Sequence, residues 1–352
     1  MAIPDGWRGT VVRWLGLLAL SGLVATLLEV IRLPAAFMLG PLIAGLVLRL
    51  ADIEIRVPKS AWLGAQCVIG GMIGAVLTPE IVRTFLADWP LLLGSVGMVV
   101  ALATFSGWGL AKSGVVPGTT GVWGSSPGAA SAMVILAETN GADARLVAFM
   151  QYLRVLFVAS SASVVARLFI DDLAQKPFVL FPPVDWPAFG VTAAVVVGAG
   201  GLGILARLPS GGMLAPMFVA AILHATGITG FEFPPIVLIA AYAVLGWRIG
   251  LGFTRAALAH AWRALPWITA AIILLMAFCA GLAVLLVKLL GIDPLTAFLA
   301  TSPGGLDTVA IIAASSPVDV GFVMAMQSVR FFVLILIGPS LSRFVASHLG
   351  RD

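Results

Sequence analysis

Charge is what this chain has least of. Of its 352 residues only 10% are Asp, Glu, Lys or Arg, while 61% are hydrophobic. A soluble globular domain carries about 25% charged residues, so a water-facing globule is excluded. Histidine and cysteine are scarce too, with three and two. His224, His260 and His348 are isolated. Cys67 and Cys279 sit in apolar stretches, lack metal-ligand spacing and read as small core residues. No phosphate-binding loop, dinucleotide glycine fingerprint or nucleophile elbow is present. These absences point away from an ATPase, a redox centre or any other enzyme, and no cofactor or metal is expected. No lipidation motif is visible. The net charge of +4 is spread one or two residues per loop, as topology determinants are, so nucleic acid is not the expected partner.

What the chain has is apolar length. Mean hydropathy is +1.10, and the runs 11–31, 191–205 and 267–290 approach or reach the roughly 20 residues that cross a bilayer as a helix. They are continuous rather than alternating, which disfavours a β-barrel. The chain reads as an all-α polytopic membrane protein whose first partner is the lipid bilayer. The segment at the start, with Arg8 and Arg13 before an apolar run, resembles a signal peptide. It has a counterpart later in the chain and is therefore read as part of the fold.

A shift of about 176 residues brings the two halves into register. Leu33-Pro34, Met38-Leu39 and Pro41 match Leu208-Pro209, Met213-Leu214 and Pro216. Gly70, Gly74, Thr78 and Pro90 match Gly246, Gly250, Thr254 and Pro266. Ser126-Pro127-Gly128 matches Ser302-Pro303-Gly304, and Asp143 matches Asp319. Gln151 and Arg154 match Gln327 and Arg330. Matches between polar and helix-breaking residues carry this repeat, since apolar residues coincide by chance. The expected organisation is an N-terminal membrane repeat over 1–170, a polar, Pro-rich linker over 171–187 and a C-terminal repeat over 188–352.

Each repeat holds about five to six membrane elements, and the fifth is broken or re-entrant. Counting basic residues by the positive-inside rule favours inverted repeats with a cytoplasmic N-terminus. That arrangement puts Arg207, Arg255 and Arg263 inside, where parallel repeats would strand them outside. Inverted repeats with interrupted elements at matching positions point to a secondary transporter.

The candidate substrate-binding residues gather at the breaks: Ser125, Ser126, Pro127 and Gly128, then Ser302, Pro303, Gly304 and Gly305. Pro removes a backbone donor and Gly permits unusual dihedrals. A helix restarting there turns unpaired N–H groups toward an anion. The competing reading is a kink for tight helix packing. Gln151 and Arg154, like Gln327 and Arg330, share one helix face at i and i+3. An Arg in the middle of an apolar element costs about 2.5–3.5 kcal/mol on insertion scales and must meet a partner or a cavity. It can anchor an anionic ligand, or it can hold the carbonyls that a break exposes. Asp307, four residues after Pro303, faces Ser131 in the repeat alignment. This lone acid is a coupling-ion candidate, or the partner of an arginine. Glu138, Asp143 and Asp319 fall at element ends and read as caps or loops. Trp62, Trp89, Trp186, Trp262 and Trp267 fit an interfacial belt.

The duplicated Leu-Pro-x3-Met-Leu-x-Pro, the Ser-Pro-Gly break and the Gln-x-x-Arg after it resemble the AbrB family of bacterial membrane proteins. This family is distinct from the small DNA-binding regulator that shares its name. The resemblance covers about 11–345. It implies a multi-pass protein of the bacterial inner membrane, related to the cation:proton antiporter and anion transporter superfamily, with the Ser-Pro-Gly segments as a helix crossing point. The family also carries the labels of gene-expression regulator and of ammonia monooxygenase. The second fits poorly, because oxygen activation needs a metal or organic cofactor. The first break reads Ser-Pro-Gly-Ala and lacks the acid found at Asp307, so the two sites are not equivalent. The resulting expectation is a transporter of a small anionic or zwitterionic solute. A non-transporting regulator is the alternative, and a homo-oligomer remains open.

Overall fold

The computed structural model describes residues 7–30, 36–169, 182–208, 210–304, 309, 313 and 318–349. Among them are thirteen helices and no strand. Five helical stretches are long and apolar enough to cross a membrane: Thr10–Val30, Pro79–Lys112, Trp186–Leu205, Ala257–Leu290 and Val320–Ser347. Shorter apolar helices lie between them.

The chain condenses into two compact units, each drawn from both sequence repeats. The first comprises 1–72, 180–220 and 231–260, and the second 73–179, 221–230 and 261–352. Elements early in each repeat thus form one unit and elements late in each repeat the other.

The first unit holds α1 (Trp7–Val30), α2 (Ala36–Leu50), α3 (Lys59–Gly74), α8 (Trp186–Leu205), most of α9 (Gly211–Ala225) and α10 (Pro235–Gly250). Its helices approach at glycines. A side chain at Gly70 of α3 would collide with the backbone of Met213 in α9, and one at Gly246 of α10 with the backbone of Met38 and Leu42 in α2. Gly70 and Gly246 are repeat partners, as are Met213 and Met38, so one contact is the other with the copies exchanged. Leu17, Ala44, Ala243 and Trp247 form a buried cluster, and the Trp247 indole N–H donates to Ser21 at 2.9 Å. Trp62, placed above in an interfacial belt, is instead buried, with the Arg248 guanidinium 5.7 Å from its ring centre. Trp89, Trp186, Trp262 and Trp267 are exposed.

The second unit holds α4 (Pro79–Lys112), α5 (Thr120–Ser125), α6 (Ala130–Thr139), α7 (Ala144–Phe169), most of α11 (Arg255–Leu290), α12 (Pro294–Thr301) and α13 (Val320–Leu349). Two of these helices start earlier than hydropathy indicates. Thr78 caps α4, its side chain accepting from the Ile81 N–H, and Thr254 accepts from Ala257 N–H at 3.1 Å at the start of α11. The added turns of α4 carry Glu80, Arg83 and Asp88, so they look like loop on a hydropathy scale. At Asp88, two residues before Pro90, the backbone leaves helical geometry (φ −121°, ψ 23°), within the turn that Pro90 interrupts by lacking an N–H and crowding the carbonyl four residues before it. Leu92, Val96, Leu286, Leu299, Val323 and Met326 belong to one buried core cluster of this unit.

Candidate functional site

Both sequence breaks lie in the second unit. At the first, α5 runs for six residues and stops at Ser126, whose ψ of 120° turns the chain extended. Pro127 and Gly128 follow, and α6 starts after Ala129. Every residue from Thr120 to Ala137 is buried. Irregular backbone at such depth is tolerated only where protein or a water-filled cavity surrounds it, and here protein surrounds it. Glycines make the approach of neighbours feasible. A Cβ at Gly121 would strike the backbone of Gly107 in α4, and one at Gly124 the side chain of Met150 in α7.

A helix end leaves carbonyls without partners. Gln151 and Arg154, one turn apart on α7, supply them. The Gln151 amide donates to Trp123 O at 2.8 Å and Ser126 O at 2.9 Å. Arg154 Nη1 donates to Ser126 O at 2.9 Å, and Nη2 to Gln151 Oε1 at 2.6 Å. A cation at the negative end of a helix dipole is the favourable sign.

The second break repeats this construction. The α12 helix ends at Ser302 (ψ 135°). Gln327 on α13 donates to Leu299 O at 2.8 Å and Ser302 O at 3.2 Å. Arg330 Nη1 donates to Ser302 O at 2.8 Å, and its Nη2 to Gln327 Oε1. The tie between each half-helix and the next loop also repeats. Thr120 Oγ1 accepts from Asp143 N–H and Thr296 Oγ1 from Asp319 N–H, both at 3.1 Å. Asp143 and Asp319 in turn accept from Leu146 N–H and Phe322 N–H, as helix-capping residues do.

The copies then part. Arg330 Nη2 also donates to Gly304 O at 3.2 Å, and its Nε reaches across to Pro127 O of the first break at 2.7 Å. One side chain thereby holds both breaks. Arg154 makes no such crossing, and its Nε has no hydrogen-bond partner among the described residues. Both guanidinium groups are almost wholly buried, at 1% and 3% exposure. Among the described residues neither pairs with a carboxylate, unlike Arg49, Arg145 and Arg255, which pair with Glu54, Asp143 and Asp52.

Ten of the candidate residues are therefore together: Ser125, Ser126, Pro127, Gln151, Arg154, Ser302, Gly304, Gln327 and Arg330 through these bonds, with Gly128 against the Met133 side chain. Pro303 is buried between Ser302 and Gly304. Gly305 and Asp307 lie outside the described residues. Hydropathy and motif reading missed Trp123, which is fully buried and rests its ring edge on Gly338 of α13. It also missed Thr120 and Thr296, although their spacing of about 176 residues was a visible signal. Cys67 and Cys279 are buried free thiols. Among the described residues no group of three or more His, Cys, Asp and Glu is placed to hold a metal ion.

The chain is 46% identical over 341 residues to a protein of Escherichia coli (strain K12) named "Putative regulator AbrB", covering 96% of this chain and 98% of that one. It is 27% identical over 308 residues to "Uncharacterized protein YhjN" of Bacillus subtilis (strain 168), covering 81% of this chain and 78% of the relative. No solved structure matches it. The model of the family described as "Transition state regulatory protein AbrB" matches residues 37–346. With that span and the E. coli relative in hand, this membrane chain belongs to the AbrB family.

Proposed function

We propose that the protein is a secondary transporter of the inner membrane, with a cytoplasmic N-terminus and two inverted repeats. It moves a small anionic or zwitterionic organic solute by alternating access. The observation that carries this reading is the pair of capped breaks in one compact unit, with a single arginine bonded to both. Backbone interrupted twice at matching positions is how secondary transporters build a midplane site. The sign of the solute follows from two buried guanidinium groups and from the positive end of α6. That helix begins among buried residues, and its N-cap Ala129 offers no side-chain acceptor. Asp307 is the candidate for coupling to protons or cations.

Flux into proteoliposomes tests the reading. Wild type should move at least one small organic anion or zwitterion, and both Arg330→Lys and Asp307→Asn should slow it at least about tenfold. Lysine retains the charge at 330 but not the planar guanidinium that reaches three carbonyls. Full flux in both variants would sink the proposed site.

A second reading comes from the printed name of the E. coli relative: an inner-membrane regulator that moves nothing. It predicts specific capture of a cytoplasmic effector from purified components together with absent flux for every solute tried.

A further inference from the structure

Between α4 and α13 of the second unit lies an open groove of about 550 Å³. That volume falls within the roughly 300–1,000 Å³ of sites for small organic ligands. Gly97, Val100 and Ala101 of α4 line one side of it, and Val333, Ile337 and Leu341 of α13 the other. The space a Cβ at Gly97 would enter is open. The Thr104 hydroxyl, also on the lining, is engaged by donating to Val100 O at 2.8 Å. The surface offered is therefore hydrocarbon.

The groove has a direction and a length. A Cβ at Gly321, at the start of α13, would sit 3.9 Å from Thr84 Oγ1 in the first turns of α4. The later turns of both helices meet at the groove, so the two run parallel. Trp108 and Val345 lie equally far beyond Thr84 and Gly321, and Gly97 and Val333 nearly so. At 1.5 Å per residue the lining from 97 to 108 covers about 17 Å. That is close to half of the roughly 30 Å hydrocarbon core of a bilayer.

One end is marked by aromatic rings and cations. Phe105 and Trp108 line it with ring centres 5.7 Å apart, and the Lys112 ammonium lies 4.8 Å from the Trp108 ring centre. Their spacing places all three on one helix face. Phe344 lines the same groove, and its chain neighbour Arg343 is exposed. Lys112 is the last residue of α4 and is also exposed. No Asp or Glu occurs in 89–137 or in 320–351, so neither segment carries an acid to neutralise this end.

We infer that the groove holds one acyl chain of an anionic phospholipid, whose phosphate lies against Lys112. Charge and length choose the occupant. A cation at the end of an apolar groove complements a molecule that is hydrocarbon through one leaflet and anionic beyond it. A helix from a second copy of the chain would run through both leaflets, and the groove serves one. The inference is independent of solute transport, and its test reads no flux.

The full chain in neutral detergent is titrated with dioleoylphosphatidylglycerol and, separately, with dioleoylphosphatidylcholine, and bound lipid is counted by native mass spectrometry. The wild type should hold one phosphatidylglycerol saturably and prefer it about fivefold or more, the effect of one cation near a membrane surface. Lys112→Gln should abolish that preference and leave phosphatidylcholine binding unchanged. Lys288→Gln, which removes an exposed cation from the last turn of α11, should alter neither. Ala101→Phe fills the groove from an exposed position. It should weaken both lipids about tenfold, as expected when about two methylenes lose their burial. Equal binding of the two lipids by the wild type overturns the site, because that is how unselected bilayer lipid behaves. Loss of preference in Lys288→Gln, or undiminished binding in Ala101→Phe, overturns it too. A wild-type dimer that shows no lipid preference and that Ala101→Phe dissociates gives the groove to a second copy instead.

Discussion

At the first break Arg154 binds Ser126 O and Gln151 and leaves Nε bare; at the second, Arg330 uses Nε, Nη1 and Nη2 together and reaches back to Pro127. What the copies share is the satisfaction of carbonyls at an interrupted helix, which any buried break requires. What they do not share is the surplus donor. The shared part is explained by backbone chemistry alone, so it says little about a ligand. The unshared part, the bare Nε of Arg154, lies on the copy that lacks an acid at the position of Asp307.

The widest gap between the copies should come from the arginines themselves. Arg330→Ala strands the carbonyls of Pro127 and Gly304 in a buried setting, at about 1–3 kcal/mol each. Arg154→Ala leaves Ser126 O its bond from Gln151 and removes only the long 3.5 Å contact to Ser125 O, while the loss of the donor to the glutamine Oε1 is common to both substitutions. Both substitutions lose similar packing, so that part cancels. Denaturation of the purified variants should show Arg330→Ala less stable than Arg154→Ala by about 2 kcal/mol or more. Equal losses would mean that the bridge to Pro127 contributes nothing.

A smaller effect, and an equal one, is expected from the glutamines. Gln151→Leu and Gln327→Leu keep the side-chain size and remove the donors to Trp123 O and Leu299 O. Each should cost about 1–2 kcal/mol. A difference above about 1 kcal/mol between them would show that capping is not the common element. Smallest are Thr120→Val and Thr296→Val. These remove single bonds to Asp143 N–H and Asp319 N–H, and side-chain hydrogen bonds in membranes average about 0.6 kcal/mol. The same assay should give matched losses of that order.

Much of the site was legible because polar residues are conspicuous in an apolar chain. Ser-Pro-Gly and Gln-x-x-Arg stood out, and their spacing showed that they belong together. The helix face shared by Gln and Arg followed from the 3.6-residue period. The rest was hidden for identifiable reasons. The first turns of α4 carry charges, so hydropathy hid them, while the Thr78 cap that starts them is a single residue with no periodic signature. Trp62 looked interfacial by position, and only tertiary packing placed Arg248 over its ring. The bond from Arg330 to Pro127 joins residues 203 apart. No local pattern encodes a contact of that range, and the repeat itself argued against it by suggesting equal roles for the two arginines.

That long bond also sets an order of events during synthesis. The first break leaves the ribosome 203 residues before the arginine that completes it. At about 5–20 residues per second, the gap lasts roughly 10 to 40 s. Throughout that interval the Pro127 carbonyl must find a temporary partner, in water, in lipid headgroups or in the insertion machinery. The helix that finishes the first break is α13, so a nascent chain cut short before it is left with an open break rather than with half a working protein.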